Sequence, residues 1–381
     1  MKKRGKILLF GGLWIASVFV TSVLICNYVI SVATRDFSAF SRFLEVYHAI
    51  ETQYFREAPA GKLWDGATAG MVDALGDPYS ELLTGEKYEN FMKQSTAEYG
   101  GIGIILGQDA EHEFYVKGIL PGSVAEKTGI LAGDRILSVD SVSANDVDID
   151  AIAEHIRGEA GTDVAMTVLR NGEEISFQMK RSDIQLPTVT SEMLTEDIGY
   201  IHIYGFAQHT AEETKKNLSE LKEKGAQKLV IDLRMNPGGM VDVVTDVAGQ
   251  LLSKGTVVSY RSKDGELHSY DTEGVANPLP MVMLIDGSSA SGSEILAGSA
   301  QDKKEALIIG ENSFGKGTMQ MVLQLPEKEA LKLSIAEYIT AGGRKIDKIG
   351  IKPDIEVAQT GMVFDKETDN VLARAIEELE K

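Results

Sequence analysis

Met281-Val-Met-Leu-Ile285-Asp-Gly-Ser-Ser-Ala-Ser291-Gly-Ser-Glu294, and the Ala306-Leu-Ile-Ile-Gly310 run that follows it, form the stretch whose reading decides the fold. Each apolar run is short and ends in turn residues, as a buried strand does. A helical pattern over residues 293–301 lies between them. Outward from this stretch the alternation continues. Residues 198–204 read as a strand, and Thr210-Ala-Glu-Glu213 has the form of a capping box opening a helix that ends at Gly225. Residues 228–233 are a further buried strand, and Asn236-Pro-Gly-Gly239 is a turn feeding a helix to about Leu252. Strands and helices in this succession predict an α/β domain with a layered sheet, whose strand ends are where chemistry is expected. Residues 366–381 predict a terminal amphipathic helix.

Two side chains stand out at such strand ends. Ser291 lies in a strand-to-helix transition between Ala290 and Gly292. Small neighbours let a carbonyl approach, and a helix N-terminus offers N–H groups to a developing oxyanion. Lys316 lies between Gly315 and Gly317, where a lysine gains neither helix nor strand propensity. A serine hydroxyl needs a group to take its proton, and a lysine can do so once burial lowers its pKa. The Asn236-Pro-Gly-Gly239 turn can likewise aim backbone N–H groups at one oxygen. Each feature alone also reads as an ordinary cap, turn or surface residue.

Rival chemistries fit less well. Gly310-Glu-Asn-Ser-Phe-Gly315-Lys316 has the G-x-x-x-x-G-K spacing of a phosphate loop. It lacks the Ser or Thr that should follow the lysine, and Met319-Gln-Met-Val-Leu-Gln-Leu325 alternates like a strand where a helix should open. The six histidines (48, 112, 155, 202, 209 and 268) are never spaced as HExxH, which argues against a zinc peptidase, and none occupies a glycine-rich turn. No metal, nucleotide or other cofactor is expected.

The 381 residues, 43% hydrophobic and 25% charged, predict a globular chain of more than one domain. A formal net charge of -19 argues against nucleic acid as a partner. The single cysteine, Cys26, excludes an intrachain disulfide. Met1-Lys-Lys-Arg-Gly-Lys6 is basic, and residues 7–34 carry no charge. That exceeds the roughly 20 residues a spanning helix needs. The length favours a single-span anchor over a cleaved signal, although Ser31-Val-Ala33 resembles a small-x-small cleavage site. The positive flank stays cytoplasmic, so the body is expected outside a bacterial cell membrane.

Residues 35–94 follow as a helical segment, with Phe40, Phe43, Leu44, Tyr47 and Ile50 at helical spacing. Residues 95–182 change character. Tyr99-Gly-Gly-Ile-Gly103 is a glycine-rich loop running into an apolar strand; a strand over 114–119, a short helix over 148–157 and a hairpin turning at Asn171-Gly172 follow. This segment resembles a PDZ domain of the bacterial protease type. The resemblance implies capture of extended peptides by strand addition, with a terminal carboxylate on the loop of Gly101, Ile102 and Gly103.

Taken together, the chain after the anchor resembles the carboxy-terminal processing peptidases, PDZ-containing serine proteases of the tail-specific type. The match is carried by Asp232-Leu-Arg-Met-Asn-Pro-Gly-Gly239, by Ser288 to Glu294 and by Ser313-Phe-Gly-Lys-Gly-Thr-Met-Gln320. It implies a crotonase-like or ClpP-like α/β peptidase core over residues 183–360, with a C-terminal helix over 361–381. By the same resemblance Ser291 is the nucleophile, Lys316 the general base and Gln320 the residue that orients it. The oxyanion hole falls on the N–H of Gly292 with one from Gly238 or Gly239. Met235 departs from the family, which usually has glycine there. Expected partners are protein C-terminal tails as substrates, the membrane through the N-terminal helix, and a second copy through the N- and C-terminal helices. The alternative is a catalytically silent PDZ scaffold that only binds tails.

Overall fold

A computed structural model describes residues 28, 36–109, 113–120, 122–364 and 366–381. The expected anchor over residues 1–34 lies outside the described residues, Tyr28 apart, and so does His112. Among the described residues no helix is long and apolar enough to cross a membrane. The chain divides into two compact units, residues 1–82 and 83–381.

In the first unit, α1 (Phe37–Gln53) opens on Asp36, whose carboxylate accepts the Ala39 N–H at 3.0 Å and so satisfies a free donor of the first turn. Helix α2 (Ala60–Asp73) begins after Pro59. An aromatic seam joins the two helices, with Tyr47 stacked on Trp64 at 4.8 Å and Phe43 tilted against it at 5.9 Å.

The second unit begins with α3 (Gly85–Thr96) and a small β-domain. Strands β1 (Glu98–Gly101), β2 (Ile104–Gln108), β3 (Phe114–Ile119) and β4 (Arg135–Val139) precede α4 (Ile149–Ile156). The hairpin of β5 (Asp163–Arg170) and β6 (Glu173–Lys180) leads to β7 (Ser182–Gln185). Asn171 and Gly172 both take positive φ at its tip, as a type I′ turn requires. The main sheet runs β2-β3-β4-β5-β6 and leaves β2 at one edge. The glycine-rich loop is partly a strand: β1 pairs antiparallel with β7, with Gly101 opposite Ser182. Gly100 is needed where the segment after α4 comes close, since its carbonyl accepts the Gly158 N–H and a Cβ there would lie 1.9 Å from the Gly158 carbonyl oxygen.

The α/β body has a mixed sheet in the order β8 (Val189–Met193), β9 (Ile198–Ile203), β10 (Lys228–Asp232), β13 (Met281–Ile285), β14 (Ala306–Gly310) and β17 (Ile355–Glu356). Only β8 is antiparallel to its neighbour. On β13, Met281, Met283 and Ile285 face a core shared with α6 (Thr210–Glu223), α7 (Val241–Leu251) and α8 (Gly292–Lys303). Val282 and Leu284 face the opposite core, beneath α9 (Asn370–Glu380). Cover on both faces is why these strands read as unbroken apolar runs. A second sheet places β16 (Glu329–Thr340) between β11 (Gly255–Ser262) and β15 (Thr318–Leu325), with β12 (Leu267–Thr272) beyond β11.

Two local expectations need correction. Helix α6 does not open with a capping box, because its N-cap is His209 and no side chain caps it. Glu213 turns away to accept the N–H groups of Thr188 and Val189 at 2.7 and 3.1 Å, and Thr210 bonds the Gly205 carbonyl. The terminal helix starts at Asn370, where the Asp369 carboxylate caps it through the Leu372 N–H.

Candidate active site

Strands β10, β13 and β14 are adjacent and parallel, so the loops leaving their C-terminal ends emerge side by side. The first loop carries Asn236-Pro-Gly-Gly239, the second Ser291 and the third Lys316. Sheet order alone therefore brings together residues 80 positions apart in the chain.

Ser291 lies one residue before α8, with φ 52° and ψ −107°, a conformation that a side chain with a Cβ rarely adopts. Such strain persists only where the surroundings hold it. Here the Ser291 N–H donates to Glu294 Oε2 at 2.8 Å. The neighbouring serines are engaged otherwise. Ser289 Oγ donates to the Leu233 carbonyl at 2.8 Å, and Ser293 Oγ to the Asn236 carbonyl at 2.9 Å.

Glu294 organises the centre. Its buried carboxylate accepts Ser313 Oγ (2.6 Å) and the Gly315 N–H (2.7 Å) on Oε1, and the N–H groups of Ser291 and Lys316 (2.8 and 2.9 Å) on Oε2. One oxygen thus ties the Ser291 backbone to the Lys316 backbone. Lys316 is half-buried. Its neighbours pack too closely for a larger residue, since a Cβ at Gly317 would lie 2.1 Å from the Asp347 backbone nitrogen. Gln320 stands on β15 opposite Ser334, just after a bulge. Its Nε2 donates to the Thr318 carbonyl (3.0 Å), Thr318 Oγ1 (2.9 Å) and Ser334 Oγ (3.2 Å), which fixes the amide on its strand.

Asn236 fastens the first loop. Its Nδ2 donates to the Ile203 carbonyl at 2.7 Å, its Oδ1 accepts the Gly238 N–H at 2.8 Å, and its own carbonyl accepts the Ala290 N–H at 3.1 Å. Gly238 has φ +100°, and a Cβ there would sit 2.6 Å from the Gly292 nitrogen and 2.8 Å from Ser291 Cβ. The Gly238 N–H is therefore spent within its turn. The N–H groups of Gly239 and Gly292 meet no acceptor among the described residues. In the β-domain, Ile102 and Gly103 likewise keep N–H groups without an acceptor, whereas Gly101 belongs to the β1–β7 pair.

Beneath the first loop lies a buried ion cluster. The Arg234 guanidinium bridges Asp232 (2.5 Å) and Asp369 (2.7 Å), and Tyr200 OH donates to Asp232 Oδ2 at 2.8 Å. Burial acts to raise the Asp369 carboxyl, but the hydrogen bonds and charge of Arg234, together with the Leu372 and Phe364 N–H groups, hold that group below the ordinary carboxylate range. Burial, joined by the Asp232 charge, pushes the Tyr200 phenol upward. His202 sits 4.0 Å from the Tyr204 ring and 4.3 Å from Phe364, and burial lowers its pKa. No group of three or more His, Cys, Asp or Glu is placed to hold a metal ion among the described residues.

Sequence reasoning passed over Glu294 and the Arg234 cluster. Ser291-Gly-Ser-Glu294 has the S-x-x-E spacing of a capping box, and that spacing was the available signal for Glu294. The Arg234–Asp369 pair spans 135 positions and leaves no local signature.

Comparison with known proteins agrees with this architecture. The model of peptidase family S41 matches residues 197–357, that of the PDZ domain residues 90–169, and that of the activating protease CtpB N-terminal domain residues 28–86. The carboxy-terminal processing protease CtpA of Bacillus subtilis is 33% identical over 330 residues, spanning 86% of this chain and 70% of that protein. A carboxy-terminal-processing protease of Bartonella bacilliformis is 33% identical over 359 residues, or 91% of this chain and 82% of its own length. A candidate S41 protease from Bacteroides fragilis shares the fold, with a TM-score of 0.51 at 15% identity over 86% of this chain and 91% of that one.

Proposed function

The chain belongs to the carboxy-terminal processing proteases of peptidase family S41, which are serine peptidases, and from that premise we propose how it cuts and what it cuts. Ser291 Oγ attacks the scissile carbonyl while the neutral Lys316 amine takes its proton. The developing oxyanion accepts the N–H groups of Gly292 and Gly239. Collapse expels the amine product, which receives the proton from Lys316, and water then hydrolyses the acyl-enzyme by the reverse proton path. Gln320, held on its strand by Thr318 and Ser334, orients the lysine. The observation that carries this reading is the single Glu294 oxygen that holds the backbones of both Ser291 and Lys316.

Substrates in this reading are unfolded C-terminal tails. The tail adds a strand along the free edge of β2, and its carboxylate meets the N–H groups of Ile102 and Gly103, with Gly101 fixing the start of the loop. The uncharged residues 7–34 anchor the protein, and the body works outside the cell membrane on exported or membrane proteins. The apolar side chains that α1 and α2 expose, among them Leu44 and Met71, suit pairing with a second copy.

The test is cleavage of C-terminal peptides by purified protein, followed by mass spectrometry. Wild type is expected to release defined fragments, and Ser291→Ala and Lys316→Ala to release none while keeping the wild-type circular dichroism. Tail binding without cleavage by the wild-type protein would favour the silent scaffold instead.

A further inference from the structure

Met235 stands in the left-handed region (φ 58°) and is 59% exposed. That conformation suits glycine, and a long side chain held there in solvent recovers no core packing in return. Both neighbours are fixed and buried: Arg234 by its two carboxylates, Asn236 by the Ile203 carbonyl. The Met235 N–H donates to both oxygens of Asp286 at 3.1 Å, and Asp286 Oδ1 also accepts the N–H groups of Ser288 and Ser289. The backbone on which Met235 stands is therefore tied to the turn that carries Ser291. Ser289 also accepts the Phe314 N–H on its carbonyl at 3.0 Å, and Phe314 is 56% exposed. Two residues with exposed apolar side chains are thus tied through their backbones to the Asp286–Ser291 segment, one from the loop after β10 and the other from the loop of Lys316.

We propose that Met235 is a specificity-determining residue, forming one wall of the subsite that receives an apolar substrate side chain next to the scissile bond, with Phe314 opposite. The proposal rests on the peptidase reading above. A thioether is unbranched and polarizable, so it adapts to Leu, Val or Met side chains of a substrate while offering nothing to a carboxylate. The backbone around it is held by Asp286 and Asn236 whatever the side chain, so substitution at this position reports on recognition more than on folding.

The experiment compares wild type, Met235→Gly, Met235→Leu and Met235→Lys on one parent tail peptide. The residue before or after the cut is varied among Leu, Ala and Asp, and kcat and KM are measured separately. Wild type is expected to favour Leu over Ala at one of the two positions. Met235→Gly should cut that preference roughly tenfold, the scale of one or two methylene contacts. Met235→Leu should keep it, and Met235→Lys should move it toward Asp. Preferences unchanged in both Met235→Gly and Met235→Lys overturn the proposal while leaving the peptidase reading intact. So does an equal loss of kcat on every peptide. A wild-type protein that cuts none of the peptides overturns both.

Discussion

Replacing Glu294 with glutamine changes one atom and separates positioning from folding. The carboxylate accepts four hydrogen bonds, two on each oxygen, from Ser313, Gly315, Ser291 and Lys316. An amide keeps one oxygen as acceptor and turns an NH2 group against the other donor pair. Flipping the amide only exchanges which pair is lost. Two hydrogen bonds to a charged group, each worth about 1.5–3 kcal/mol, disappear, and two donors are left in a site where Glu294 is 1% exposed. Allowing for coupling among neighbours, the loss of stability should be roughly 3–5 kcal/mol, seen as a melting temperature lower by on the order of 10 °C. Whichever pair is lost, the Lys316 loop gives up one of the two N–H groups, Gly315 or Lys316, through which Glu294 holds it beside Ser291. A displacement of about 1 Å at the reacting atoms costs on the order of a hundredfold in rate. Peptide turnover measured well below the variant's melting point should therefore fall at least that far, chiefly in kcat. If Glu294→Gln unfolds at the wild-type temperature and turns over peptide within about twofold of wild type, the account of this centre is wrong.

The remaining predictions concern the surroundings of that centre. Gly238→Ala puts a methyl within 3 Å of Gly292 and Ser291 in a backbone region closed to alanine, and is expected to lower kcat on the order of a hundredfold, as loss of one oxyanion donor does; wild-type kcat would count against the assignment. Arg234→Gln strands Asp232 and Asp369 without their cation, which should cost about 3–5 kcal/mol in urea unfolding and speed hydrogen exchange in α9, whose cap is Asp369. His202 is buried with its pKa depressed, so the unfolded chain binds the extra proton first as pH falls. Its contribution is intact above the unfolded value of about 6.5 and is lost progressively as pH drops below it, with a slope of at most about 1.4 kcal/mol per pH unit. His202→Leu should flatten unfolding free energy against pH in that window, and an unchanged slope would refute the assignment.

Much of the α/β body is legible in the sequence. The runs 228–232, 281–285 and 306–310 are apolar throughout because both sheet faces are covered, and a run of that kind is readable locally. The placement of Ser291 and Lys316 at neighbouring strand ends is legible because small residues isolate them there. The S-x-x-E spacing has two different outcomes. At Thr210 it suggested a cap, but Glu213 serves Thr188 and Val189 in the strand that enters the domain. At Ser291 the same spacing marks a carboxylate that does accept the N-cap N–H and also serves the Lys316 loop, 22 positions onward. Local pattern cannot tell these uses apart, because the deciding donors arrive from elsewhere in the chain. For the same reason the Arg234–Asp369 pair, which closes the C-terminal segment over β10, had no sequence signal. The glycine-rich start of the β-domain misled in the other direction. Gly100 serves the close approach to Gly158 and Gly101 the pairing with β7, while Ile102 and Gly103 keep N–H groups without an acceptor among the described residues.

The central claim, that Ser291 is a nucleophile activated by Lys316, is tested most directly by intact-protein mass after exposure to a fluorophosphonate, with the adduct mapped by peptide sequencing. One adduct is expected, on Ser291, absent in Ser291→Ala and strongly slowed in Lys316→Ala. An adduct on Ser288, Ser289 or Ser293, or labelling of Ser291 at an undiminished rate in Lys316→Ala, would contradict it.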